Sequence, residues 1–311
     1  MTTAFADVRV VTSIKPVHSL VAAVMQGVGT PDLIVEGAGS PHTYALKPSQ
    51  AKQLQEADLV FWMSHDLEAF LEKSIDGIAT KAVSVPLMES RGLMTLGFRE
   101  GGAFDDHGHD EHDDHDEHDK DDDHDHEKHD DHDEHDHGEV DPHVWLDPEN
   151  AKAMVHEIEE ALAKADPANA ATYESNAEAV MAKLDSLVAE IDSELQPVKG
   201  RGYIVFHDAY QYFENRFGVS AIGSITVSPE VLPGAERISD LQEKVRSLDA
   251  TCVFSEPQFE PKLVATVTEN TNARTGVLDP LGAAIDKGPN LYFTLIRNMA
   301  SSLKNCLLGS G

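Results

Sequence analysis

Of the 17 histidines in this 311-residue chain, 11 crowd between His107 and His137, and three of the others share a setting. His42 follows the apolar run Asp32 to Val35 through the loop Glu36-Gly37-Ala38-Gly39-Ser40-Pro41. His207 follows Tyr203-Ile204-Val205-Phe206. His143 lies in Asp141-Pro142-His143-Val144-Trp145-Leu146-Asp147-Pro148, on the loop leading into a capped helix. A carboxylate, Asp279, follows Gly276-Val277-Leu278 in the same way. Three imidazoles and one carboxylate suit zinc, which is borderline-soft, tetrahedral and content with nitrogen and oxygen donors. Manganese tends to gather more carboxylate oxygens, and magnesium or calcium wants nearly all oxygen. Any one of these histidines alone reads as a hydrogen-bonded loop residue; their common placement makes them a candidate ligand set. Asp279, ahead of Pro280, could also cap a turn or hold a ligand histidine in place. His65, in Ser64-His65-Asp66, reads as exposed or as a support for a ligand, and His18 and His156 read as structural.

The elements that must position these residues alternate short apolar runs with helical patterns. Strands are predicted at 8–14, 32–35, 59–63 and 82–85, with helices at 18–26 and 48–57. The second half repeats the scheme, with strands at 202–206, 219–224, 251–255 and 275–278 and helices at 208–217, 234–248, 259–270 and 289–308. Such alternation predicts an α/β fold of parallel βαβ units. Asp147 is an N-cap residue with Pro148 at the first helical position, which starts a helix running to 165. Asp166-Pro167 repeats the signal, and the next helix continues to Leu195, before Gln196-Pro197. At roughly 29 residues it would span about 43 Å, which suits a strut between two lobes. The predicted division is an N-terminal α/β lobe over 7–165, a linking helix over 166–196 and a C-terminal α/β lobe over 197–311. Ligands of open α/β sheets bind beyond the carboxyl ends of the strands, so two such lobes facing each other would bring the four candidates together in the cleft.

Charge sorts the chain into two regimes. The formal net charge is −32. Residues 105–139 hold 20 Asp and Glu against two Lys, so −18 lies there and −14 on the remainder. This acidity excludes nucleic acid and anionic membrane surfaces as partners and suits cations. The stretch from about 99 to 139 has nothing apolar to offset the entropy of ordering, so it reads as a disordered surface loop. Its neutral imidazoles and adjacent carboxylates suit weak, multi-site capture of metal. Ala4-Phe5-Ala6-Asp7 resembles the end of a removed export signal, and no apolar run is long enough for a transmembrane helix. Cys252 and Cys306 are either two buried thiols or, as an exported protein favours, one disulfide.

Taken together, Gly37-Ala38-Gly39-Ser40-Pro41-His42-Thr43-Tyr44, Asp141-Pro142-His143-Val144-Trp145-Leu146, Phe206-His207-Asp208-Ala209-Tyr210, Glu256-Pro257-Gln258-Phe259 and Leu278-Asp279-Pro280-Leu281-Gly282 carry a resemblance. They resemble the zinc-binding proteins of ABC-type zinc importers, within the wider metal-binding group of solute-binding proteins. The resemblance covers nearly the whole chain and extends to the histidine-rich loop. It implies two similar lobes joined by one long rigid helix, with zinc in the cleft on His42, His143, His207 and Asp279. It also implies a periplasmic monomer that is not an enzyme, hands Zn2+ to a membrane permease, and carries a disulfide compatible with Cys252 and Cys306. Histidine at 207, where similar manganese binders carry Glu, favours zinc. Some zinc members place Glu just before the first ligand histidine; here Pro41 stands there, which leaves Asp279 or water for the fourth position.

Two other functions fit parts of the pattern. A zinc-dependent hydrolase would also use three histidines with an open fourth position, but no H-E-x-x-H run and no general base beside a ligand is present. The nearest run, His124-Asp125-His126-Glu127-Lys128-His129, has no neighbouring strand to fix it. A metal-buffering or adhesive surface protein is the third reading; the absence of a lipid-attachment cysteine near the N-terminus favours a freely soluble form instead.

Overall fold

The computed structural model describes residues 8–99, 104, 140–226, 234–247 and 252–309. The histidine-acid stretch 105–139, with its expected disorder and weak metal capture, lies outside these residues, as does Ala4-Phe5-Ala6-Asp7.

Two four-stranded parallel sheets organise the chain. The first contains β1 (Val10–Thr12), β2 (Asp32–Leu33), β3 (Leu59–Trp62) and β4 (Val83–Pro86), in the order β2-β1-β3-β4. The second contains β5 (Gly202–His207), β6 (Ser220–Thr226), β7 (Cys252–Ser255) and β8 (Arg274–Val277), in the matching order β6-β5-β7-β8. Val11 stands opposite Val60 in the first, and Ile204 opposite Val253 in the second. Parallel neighbours need long crossovers. These contain α1 (Lys15–Val24), α2 (Pro48–Glu56) and α3 (Ala69–Ile78) in the first half. In the second half they contain α6 (Gln211–Phe217), α7 (Ala235–Ser247) and α8 (Lys262–Thr268). In each sheet the chain leaves its first strand towards one neighbour and later crosses to the other. The crevices beyond β1/β3 and β5/β7 are therefore the points where strand order reverses and ligands bind.

Several elements differ from the sequence reading, and α6 begins at Gln211, three residues beyond the expected 208. α1 begins at Lys15, not at His18, because Pro16 falls in the first turn, where its missing N–H removes no hydrogen bond. α3 has no counterpart in that reading: only Leu71 and Ile75 of its ten residues are buried, and Gly77 weakens its helical signal. α8 starts at Lys262, after Pro261, three residues beyond the expected start.

α4 (Pro148–Ala165) has the expected cap: Glu149 N donates to Asp147 Oδ1 at 2.9 Å. The 26-residue α5 (Ala170–Leu195), flanked by 3-10 turns, joins the halves. It buries Tyr173, Ala177, Val180, Leu184, Leu187, Ile191 and Leu195, a stripe with steps of three and four. α5 packs against α1 and α4 of the first half and α9 (Leu291–Leu308) of the second. It is thus a spine seated in both halves. One apolar core runs from β1 and β3 through α1, α4, α5 and α9 to Tyr203, Val205 and Phe254 of the second sheet. Alternation along β5 and β7 sends Ile204, Phe206 and Val253 to a smaller core under α7 and α8. Cys252 and Cys306 form a disulfide that ties β7 to the end of α9.

Candidate metal centre

His207 is the last residue of β5, and Glu256 directly follows β7, so both stand at the reversal point of the second sheet. His42 lies in the 3-10 turn Pro41–Thr43 beyond β2. That loop is held by Tyr44 OH and Gln50 Nε2, which donate to Ile34 O at 3.1 and 2.6 Å. His143 precedes the turn Val144–Leu146, and this turn is locked across the halves. Trp145 Nε1 donates to Pro280 O at 2.9 Å, and Tyr292 OH donates to Trp145 O at 2.7 Å. The first half therefore supplies His42 and His143, and the second supplies His207.

The three rings converge. Ring centroids are 5.6 Å apart for His42 and His143, 5.9 Å for His42 and His207, and 5.3 Å for His143 and His207. One nitrogen from each ring lies within 4.8 Å of the others. His143 and His207 are buried, at 4 % exposure each. His143 Nδ1 donates to Asp141 Oδ1 at 2.6 Å, and His207 Nδ1 donates to Glu256 Oε1 at 2.7 Å. A carboxylate on Nδ1 fixes the proton there and turns the Nε2 lone pair towards the cleft. The two Nε2 atoms face each other at 3.4 Å. Two lone pairs at that distance repel unless a cation stands between them.

The electrostatics act in opposite directions on His42 and His207. The pKa of His42 falls from 6.5 to about 2, through burial first and then through repulsion from His143 and His207. For His207, burial opposes the charged ring most strongly. The charge of Glu256 and its hydrogen bond, with Asp141 and Asp208, outweigh that effect, so the pKa rises.

Asp279 is placed differently. Its Oδ1 accepts from Gln258 Nε2, Leu281 N and Gly282 N at 3.0, 3.1 and 2.9 Å, and its Oδ2 accepts from Ala283 N at 2.6 Å. The carboxylate organises the loop over 279–285 and is not part of the converged group of three histidines. Lys15, buried at the start of α1, grips the same loop through the carbonyls of Gly282, Ala283 and Ile285. His65 is half exposed and pairs with Glu72 at 2.7 Å. His156 is exposed beside Glu160, and His18 is buried with Nε2 against Pro31 O. The rings line a cavity of about 10 Å³ together with Trp145, Phe259 and Leu281. That is room for one water-sized occupant.

Asp141 and Glu256 are the residues that sequence reasoning quoted without giving them a role. A carboxylate two positions before His143 was a usable signal, because Asp-x-His lets the side chain fold back onto the ring. Glu256 lies 49 residues from His207, and only the pairing of β5 with β7 brings them together.

Comparison with known proteins extends this picture. Residues 10–306 match the family described as ZnuA, zinc-uptake complex component A, periplasmic. The high-affinity zinc uptake system protein ZnuA of Brucella abortus (strain 2308) is 58% identical over 304 residues, covering 96% of this chain and 91% of that protein. The protein of the same name from Yersinia pestis is 36% identical over 303 residues, covering 97% and 92%. A crystal structure of ZnuA superposes with a TM-score of 0.78 at 24% identity, over 97% of this chain and 99% of that one, so the fold is shared.

Proposed function

The chain belongs to the ZnuA family of periplasmic zinc-uptake components, and on that premise we propose that it captures Zn2+ between its two halves on His42, His143 and His207 and delivers it to an ABC-type permease. The observation that carries this reading is the 3.4 Å gap between His143 Nε2 and His207 Nε2. Tetrahedral zinc with Zn–N bonds of 2.0–2.1 Å holds its ligand atoms about 3.3–3.4 Å apart. The pair is thus spaced as two corners of a zinc tetrahedron.

Binding follows from the charges. The incoming ion sheds water and competes with protons for the ring nitrogens. Its double charge is matched by two buried carboxylates, Asp141 and Glu256, one behind each of these histidines. Asp279 is the fourth donor in this proposal: Oδ2 accepts one hydrogen bond where Oδ1 accepts three. Asp279→Asn keeps a side-chain acceptor and removes the anionic donor. It should weaken zinc binding by at least about 10- to 100-fold, the loss typical even of a carboxylate that only supports a ligand; unchanged affinity assigns the fourth position to water. The core shared by both halves resists a wide hinge, so zinc acts mainly on the His42 loop, and release requires the permease to disturb that loop.

Transport binding, not catalysis, is the function. The family to which the chain belongs is a zinc-uptake binding component. Titration of His207→Ala and His143→Ala with Zn2+ against a competing chelator tests the ligand assignment. Wild-type affinity in either variant removes that residue from the site.

A further inference from the structure

The two facing histidines come from different halves of the molecule, so something must hold their separation. We infer that Gln211 is the positioning residue that does so, coupling the support of His143 to the strand end that carries His207. This rests on the proposed assignment of both histidines as zinc ligands.

The geometry forms a closed circuit. Gln211 opens α6, four residues after His207. The intervening turn is tight, with Ala209 N donating to His207 O at 2.9 Å. Asp208 is held in that turn by the guanidinium of Arg99, which also pairs with Glu214 of α6 at 2.7 Å. Gln211 is buried, at 8 % exposure, and its amide nitrogen spends both protons across the interface. Nε2 donates to Asp141 Oδ2 at 2.7 Å and to Gly97 O at 3.0 Å. Asp141 is fully buried, and its other oxygen is the one that holds His143 N and Nδ1. One carboxylate thus divides its work: Oδ1 orients the ligand, and Oδ2 is fixed by Gln211.

Removing that donor would leave a buried carboxylate oxygen without its partner, a strongly unfavourable state. Asp141 would then rotate to recover a hydrogen bond, and the imidazole on its other oxygen would turn with it. Metal sites tolerate ligand displacements of only about 0.2 Å. The neighbouring Tyr212 provides a contrast, because its hydroxyl donates to the backbone carbonyl of Asp141 at 2.7 Å and leaves the carboxylate alone.

The test uses the full chain, with Zn2+ affinity from chelator competition, the visible spectrum of the Co2+-loaded protein as a probe of ligand geometry, and the melting temperature of the metal-free protein. Gln211→Met keeps the stem and removes the donor. Gln211→Asn, one methylene shorter, cannot reach Asp141 Oδ2 and Gly97 O together and serves if the first variant folds poorly. Either should lose about tenfold in zinc affinity, the lower end for residues that support ligands, and should alter the cobalt spectrum. Tyr212→Phe should lower the melting temperature with affinity and spectrum intact. Wild-type affinity and spectrum in both Gln211 variants would overturn the inference. So would an equal loss in Tyr212→Phe, since that marks a general interface effect. Wild-type zinc affinity in His143→Ala would instead overturn the ligand assignment, whatever the Gln211 variants do.

Discussion

Glu256→Gln should change both how tightly zinc binds and how that affinity depends on pH. The amide oxygen can still accept from His207 Nδ1, so the hydrogen bond of 2.7 Å survives while the charge is lost. Adding the width of an imidazole and a Zn–N bond places the ion roughly 6 Å from the carboxylate. At an effective dielectric of about 20, a double charge at that distance interacts with a unit charge by about 5 kcal/mol. This is an upper bound, because Glu256 favours a proton on His207 as well as zinc, and the two compete. Losing a supporting carboxylate typically weakens metal binding 10- to 100-fold, about 1.4–2.7 kcal/mol, and that is the expected loss at pH 8. The pH dependence follows from the raised pKa of His207. Below that raised value the ring of the wild-type protein is protonated, and apparent affinity falls about tenfold for each pH unit. In Glu256→Gln the largest influence raising that pKa is gone, so the pKa falls and the slope should move to lower pH than in the wild type. Chelator competition between pH 5.5 and 8.5 at fixed ionic strength reads both quantities. If the variant keeps the wild-type affinity and the wild-type slope, Glu256 does not act on the metal through His207.

Two buried groups outside the site should tilt stability against pH in opposite directions. Burial lowers the pKa of His18 from 6.5 to about 4, so its contribution is complete above pH 6.5 and is lost as pH falls towards 4, by about 3 kcal/mol. Burial raises that of Glu68 from 4.5 to about 7. The folded state then holds the extra proton, and stability falls by about 3 kcal/mol as pH rises from 4.5 to 7. The two nearly cancel in the wild type. His18→Gln, which keeps a donor for Pro31 O, should give melting temperatures that fall with pH across this window. Glu68→Gln, which keeps an acceptor for Met63 N and Ser64 N, should give the reverse, and parallel profiles for both variants would refute the pair. Reducing the disulfide between Cys252 and Cys306, which closes a separation of 54 residues, should cost about 4 kcal/mol by the chain-entropy model, read by chemical denaturation with and without reductant. Zinc-loaded protein should show no turnover of esters or phosphate esters in a chromogenic assay, as expected of a zinc-uptake component.

Much of the fold was legible because it rests on local chemistry. Asp147 and Pro148 announce α4 through one hydrogen bond and one fixed dihedral, both properties of neighbouring residues. The apolar runs at β1, β3, β5 and β7 predict buried parallel strands, since strands covered on both faces lose the polar alternation. α3 was only partly legible. Phe70, Leu71, Ile75 and Ile78 follow a helical spacing, yet the helix has ten residues and carries Gly77 near its end. The start of α1 was misjudged because Lys15-Pro16 reads as a strand terminator until the buried ammonium is seen to grip the loop over 282–285.

What the chain determined by itself is the inventory of the site: three imidazoles at the ends of elements, the strands and helices that carry them, and an even pair of cysteines in an acidic protein. What only the tertiary structure decided is which nitrogen of each buried ring faces the cleft and how far apart those nitrogens stand. The physical reason is that an imidazole takes its orientation from whatever holds its other nitrogen. For His207 that partner is Glu256, 49 residues away. For His143 it is Asp141, whose own orientation is set by Gln211 from the opposite half. Asp279 shows the same division: its type suits a ligand, and which of its oxygens is left with a single hydrogen bond is decided only once residues 279–285 fold around it.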